Sequence, residues 1–173
     1  MTETEKTTMK NRRRERLILA VIVLVAALLR FYNLGSNPPS LYWDEASLGY
    51  NAYSILKTGH DEHGEFLPLT RFIAFGDYKP PGYIYAAVPS IAVFGLTEFA
   101  VRFPSALAGI LTVLVTYFLV NELFREKSSN IKHQTLYIGE IAAFLLAISP
   151  WHLQFSRGAF EANLATFLSI AGV

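Results

Sequence analysis

The sequence predicts an all-α, polytopic membrane protein of spanning helices with a long first extracytoplasmic loop that carries interfacial helices. Three observations predict it. Apolar residues fill 52% of 173 positions and charged residues only 17%. The apolar residues come in long blocks rather than amphipathic stripes. A basic cluster, Arg12, Arg13, Arg14 and Arg16 with Lys6 and Lys10 upstream, stands directly before the first block and reads as a cytoplasmic flank. A nucleic-acid-binding arm would want the same charges, but not joined at once to an aliphatic run, and the net charge of +1 calls for no nucleic acid. Cysteine is absent, which excludes a disulfide framework and thiolate metal sites.

Residues 1–16 form the basic cytoplasmic tail, and residues 17–34 the first span. Arg30 interrupts the aliphatic run and is expected to snorkel to the outer interface beside Phe31 and Tyr32. A cleaved signal peptide would share the basic start, but no small-x-small cleavage site follows. Residues 35–97 form the outer loop, rich in Tyr, Phe, Gly and Pro. Within it residues 45–57 read as a helix capped by Asp44 and ended by Gly59. Residues 82–96 are apolar, contain Pro89 and are too short to span comfortably. Spans are expected at about 103–123 and 136–155, and an incomplete one at 159–173. The basic loop at 125–133 prefers the side of the N-terminus, which requires two crossings between them. Asp44, Lys79, Arg157 and Glu161 then all face the outer leaflet.

Those four carry the candidate chemistry. Tyr42-Trp43-Asp44-Glu45 places two adjacent carboxylates after a Trp at a helix start, although a cap and a first-turn acid would look the same. Gly76-Asp77-Tyr78-Lys79-Pro80-Pro81 puts a cation on a rigid turn, and Arg157 and Glu161 stand four apart, on one face if helical. A charge near hydrocarbon costs roughly 2.5–3.5 kcal/mol when unpaired, so such clustering points to use. His60-Asp61-Glu62-His63 has metal-binding residue types, but Gly59 and Gly64 make it a turn, and adjacent residues seldom converge on one ion. The aromatics of the loop read as an interface belt, with stacking on sugar or prenyl chains the alternative.

The succession Trp43-Asp44-Glu45-Ala46, Gly76-Asp77-Tyr78-Lys79-Pro80-Pro81-Gly82-Tyr83, Glu98-Phe99-Ala100-Val101-Arg102-Phe103-Pro104-Ser105-Ala106, Ser149-Pro150 and Ser156-Arg157 resembles the N-terminal half of GT-C glycosyltransferases. The similarity is to the bacterial protein mannosyltransferase and aminoarabinose transferase superfamily, and it runs from about Leu17 to the last residue. The resemblance implies a plasma-membrane enzyme that moves a hexosyl or pentosyl unit from a polyprenyl-phosphate sugar to a hydroxyl-bearing lipid, glycan or protein acceptor at the outer face. It implies Asp44, with Glu45 beside it, as the catalytic carboxylates, Lys79 and Arg157 as donor-phosphate contacts, and Glu161 as a second carboxylate. No cofactor is required by the pattern. A divalent metal stays open, although Tyr78 stands where the aminoarabinose enzymes carry a metal-binding acid before the Lys. The absence of any Asp-x-Asp argues against a nucleotide-sugar donor. The chain is expected to be the first part of a longer enzyme, inactive alone. A non-enzymatic membrane protein, such as a transporter fragment or an assembly subunit, is the alternative class.

Overall fold

Aliphatic residues from Leu17 onward propagate one continuous helix, α1 (Glu3–Phe31), which takes in the basic segment as well. The computed structural model describes residues 3–125 and 137–173. The first expected span is helical only as far as Phe31, and hydrogen-bonded turns carry the chain on through Leu34, Ser36 and Asn37.

α2 (Trp43–Thr58) follows, and Gly59 ends it as expected, at φ 73° with its N–H on the Ile55 carbonyl. A short antiparallel ribbon, β1 (Phe72–Ala74) and β2 (Asp77–Lys79), sets Phe72 opposite Lys79 and Ala74 opposite Asp77. α3 (Pro81–Phe94) starts on a proline, whose missing N–H is not needed there, and at 14 residues it is too short to span.

α4 (Glu98–Arg125) is the hub, packing against α1, α3, α5, α6 and α7. Its residues 98–124 form one helix long and apolar enough to cross a membrane. α5 (Ile138–Ile148) and α6 (Pro150–Arg157) are bent by 58° at Ser149, and together they qualify only as a broken span or a re-entrant loop. A straight helix was expected over 136–155. Pro150 has no N–H to continue the ladder, so the chain restarts as a new helix with proline in its first turn. α7 (Glu161–Ala171) closes the described chain. The basic loop expected at 125–133 lies outside the described residues beyond Arg125.

Two apolar clusters hold these elements. One joins Leu48, Ala52 and Ile55 of α2 to Phe72, to Tyr83, Ile84, Ala87 and Ile91 of α3, and to Ala100 and Val101 of α4. The other joins Ile22 and Ala26 of α1 to Val113 of α4 and to Ala143 and Ala147 of α5, small residues that let helices approach closely. Gly109 allows the closest approach: a Cβ there would collide with the Ser156 side chain and sit 3.0 Å from Arg30 Nε.

Arg30 does not snorkel. It is fully buried and donates through Nη1 to the carbonyls of Ala26 and Ala147, both at 3.1 Å, while Nη2 lies 2.6 Å from His152 Nδ1. In an unbroken helix the Ala147 carbonyl would serve the Trp151 N–H. The α5–α6 bend frees that carbonyl for a guanidinium from another helix, which removes the need to reach water.

Candidate active site

α2 begins at Trp43, two residues earlier than a cap at Asp44 requires, with Tyr42 as the extended flanking residue. Asp44 therefore sits inside the first turn and leaves its side chain free, while Glu45 reaches back so that its Oε2 accepts the Tyr42 N–H at 3.0 Å. The Asp44 carboxylate is 35% exposed, and its Oδ1 meets Lys79 Nζ at 2.9 Å. β2 delivers that lysine, and Asp77 on the same strand holds Nζ at 3.2 Å. The Lys79 ammonium is held above its ordinary range, chiefly by the hydrogen bond to Asp44; burial opposes this and Asp77 adds to it. The Tyr78 amide, then Lys79, holds the exposed Asp77 below the usual carboxylate range. An ammonium carries three protons, and two carboxylates account for two of them.

Glu45 is placed differently from its neighbour. It is buried at 5% exposure, and Arg102 Nε and Nη2 donate to its two oxygens at 3.0 and 3.1 Å. Oε1 also accepts the Ala159 N–H at 2.7 Å. Burial pushes the Glu45 pKa up, but the Arg102 hydrogen bond, the amides of Tyr42 and Ala159 and the charge of Arg102 outweigh it and hold the group below its ordinary value. A carboxylate so fully engaged fastens α2 to α4 and to the α6–α7 junction. Arg102, fully buried, also donates to the carbonyls of Leu34, Pro38 and Ser40 at 3.1, 2.8 and 2.6 Å. One guanidinium thus fixes the segment leading into Asp44.

Arg157 ends α6 and donates to the carbonyls of Leu29 and Asn37, both at 2.7 Å. It does not share a helical face with Glu161, because Gly158 in extended geometry separates α6 from α7. Glu161 opens α7, and its buried Oε1 has no hydrogen-bond partner among the described residues. The structure therefore brings Asp44 and Lys79 into direct contact. Arg157 and Glu161 are linked to the helix of Asp44 through the Ala159–Glu45 bond between them.

The His60–His63 segment is pinned rather than merely solvated. Asp61 Oδ1 accepts the amides of His63 and Glu65 at 2.9 and 2.8 Å, and Glu62 Oε1 accepts Asn51 Nδ2 at 3.0 Å. Among the described residues no three His, Asp or Glu side chains converge as a metal site. A divalent ion at Asp44 would also face the Lys79 ammonium, so the residues present there do not form a metal donor set. An apolar groove of about 450 Å³ runs between α3, α4 and α7, lined by residues that include Phe94, Phe103, Leu107, Leu164 and Phe167.

Arg102 and His152 received no role from the sequence, and Arg30 only a place at the outer interface. The signal was present, since a charge embedded in an apolar stretch is seldom idle.

Residues 20–157 match the family described as dolichyl-phosphate-mannose-protein mannosyltransferase, which is membrane-embedded. "Putative mannosyltransferase YkcB" of Bacillus subtilis (strain 168) is 27% identical over 165 residues, covering 94% of this chain and 20% of that protein. An uncharacterized protein of Aquifex aeolicus (strain VF5) is 29% identical over 111 residues, covering 63% of this chain and 21% of that protein. The chain thus spans about a fifth of the length of these two relatives. No solved structure matches it. With the family matched over most of its length and the succession of charged motifs in place, the chain belongs to the dolichyl-phosphate-mannose-protein mannosyltransferase family, a GT-C glycosyltransferase family.

Proposed function

We propose that this chain holds the N-terminal part of the catalytic site of a polyprenyl-phosphate-sugar-dependent hexosyl- or pentosyltransferase working at the outer face of the plasma membrane. The contact between Asp44 and Lys79 carries the reading: a partly exposed carboxylate at a helix start, neutralised by an ammonium that retains an unused proton. In the proposed reaction an acceptor hydroxyl gives its proton to Asp44 as its oxygen attacks the anomeric carbon. The bond from that carbon to the phosphate oxygen breaks, and its electron pair leaves with the lipid phosphate.

Lys79 and Arg157 stabilise that charge. Lys79 shifts from Asp44 toward the phosphate while Asp77 keeps its hold, which frees Asp44 as a base only when donor is present. Arg157 has N–H groups left beyond its two carbonyl contacts. Glu45 and Arg102 position Asp44, and the groove between α3, α4 and α7 offers an apolar surface for the prenyl chain. Glu161 supplies the second carboxylate of the site.

The experiment is transfer from a panel of polyprenyl-phosphate sugars by the full-length protein in lipid nanodiscs. Asp44→Asn is expected to lower kcat by about 10²-fold or more with donor KM little changed, the range for loss of a general base. Lys79→Ala is expected to raise donor KM as well. Near-normal turnover by Asp44→Asn would end the general-base assignment.

A further inference from the structure

The proposed chemistry leaves one face of the site unused, and that face is aromatic. The turn between β1 and β2 is formed by Phe75 and Gly76, at φ +52° and +77°. Two positive φ values give the mirror-image turn that suits a twisted ribbon, and its first position ordinarily takes Asn, Asp or Gly because a Cβ is strained there. Here it carries a phenyl ring that is 70% exposed. That ring stacks on Trp43, with centroids 6.0 Å apart and planes at 25°, and Trp43 is itself 61% exposed. Tyr42 meets Trp43 edge-on at 5.6 Å. Trp43 directly precedes Asp44, and the ribbon that carries Phe75 also carries Asp77 and Lys79. Two exposed rings therefore flank two carboxylates, and the lysine bridging those carboxylates ties the ribbon to α2.

We infer that Trp43 and Phe75 form a stacking wall for a pyranose ring, with Asp44 and Asp77 accepting hydroxyls at its rim. The ring belongs either to the sugar being transferred or to a glycan acceptor, and the inference deepens the transferase reading and rests on it. A pyranose offers weakly positive C–H groups on one face and hydroxyl donors around its edge. An aromatic face is electron-rich and a carboxylate accepts only, so the two chemistries match. Asp77 has two oxygens with about four acceptor positions, of which Tyr78 N–H and Lys79 take two. The rival occupant is a lipid acyl chain. Phe75 cannot enter hydrocarbon without drawing in Asp77, two residues along the same turn and exposed, and a carboxylate near hydrocarbon costs more than one buried phenyl ring returns.

The test uses the full-length protein labelled with fluorotryptophan in nanodiscs, with the fluorine resonance of Trp43 assigned as the one that Trp43→Phe removes. Methyl pyranosides of mannose, glucose and galactose are the soluble probes. A saturable shift of that resonance with at least one of them is expected. Phe75→Gly, which removes the ring and suits the positive φ, is expected to weaken the response by about two- to tenfold, the range for an aromatic pair. No shift with any pyranoside, or a shift unchanged in Phe75→Gly, overturns the wall. Broadening by acyl-chain spin-labelled lipid with no pyranoside response would assign the rings to lipid instead.

In the transfer assay, a raised KM of Phe75→Gly for donor or for glycan acceptor tells which ring stacks there. The Asp44→Asn protein loses one rim carboxylate but keeps an amide oxygen as acceptor, and is expected to show a weakened pyranoside shift that still depends on Phe75. If that variant transferred normally while the shift and its dependence on Phe75 persisted, the base assignment would fall and the wall would stand.

Discussion

Removing Arg102 is expected to destabilise the protein more than any exposed substitution. Its guanidinium, buried at 0% exposure, makes two hydrogen bonds to Glu45 and one each to the carbonyls of Leu34, Pro38 and Ser40. Arg102→Ala leaves Glu45 charged and buried with only the Tyr42 and Ala159 amides, and breaking a buried pair from one side costs about 3–5 kcal/mol. Three carbonyls also lose their donor, at about 1–3 kcal/mol for each that water cannot reach. These terms overlap, so about 4–6 kcal/mol is the working figure for the whole change. Glu45→Gln keeps the shape and one acceptor and loses the charge, for about 1.5–3 kcal/mol. The assay is reversible unfolding in mixed micelles by SDS titration on wild type, both single variants and the Glu45→Gln/Arg102→Ala double variant. A coupling energy of about 2 kcal/mol or more is expected, as for groups in one network. A loss below about 1 kcal/mol in Arg102→Ala, or coupling under about 0.5 kcal/mol, would refute the view that this pair fastens the entry to Asp44.

The pH dependence follows from Glu45, whose pKa is held below its ordinary value in the fold. Its contribution is then fully present above the unfolded pKa and is lost as pH falls through the lower folded one, so the Tm gap between wild type and Glu45→Gln should close in that acidic window. Gly109→Ala should cost about 1–3 kcal/mol by overpacking against Ser156 and Arg30, read as a lower Tm; an unchanged Tm would show that α4 and α6 can move apart freely. Single cysteines at the exposed Ser36 and His63 should react with an impermeant thiol reagent in intact cells while one at Ser129 should not; labelling at Ser129 without His63 would invert the proposed topology.

Local punctuation was readable without the structure. Gly59 closes α2 because left-handed geometry restricts where other residues fit, whereas Pro81, read only as part of a rigid turn, opens α3. The α5–α6 bend was missed because Ser149-Pro150 also reads as the outer end of a straight span. Arg30 was misplaced because a lone Arg at a helix end defaults to water, and its partners lie far along the chain on an element that first has to bend. The β1–β2 ribbon went unread because its strands have three residues each and its turn begins with Phe instead of Asn, Asp or Gly. Asp44 and Lys79 could be named from the resemblance and set on one side by charge asymmetry. Their contact distance could not, since it depends on that ribbon. Arg102 lay inside a quoted motif, yet pairing it with Glu45 requires two helices to meet across 57 residues of sequence.

The long-range bonds of Arg30 also constrain biogenesis. Its guanidinium is synthesised 117 residues before the Ala147 carbonyl and 122 before His152. At about 5–20 residues per second, that gap is roughly 6–25 s. Throughout it the first hydrophobic helix holds a cation that its own sequence cannot compensate beyond the Ala26 carbonyl. Arg102, whose partners Leu34, Pro38, Ser40 and Glu45 all precede it, has no such wait. The entry to Asp44 can thus be tied down as soon as α4 arrives, whereas α1 acquires its last partners only when α5 and α6 follow.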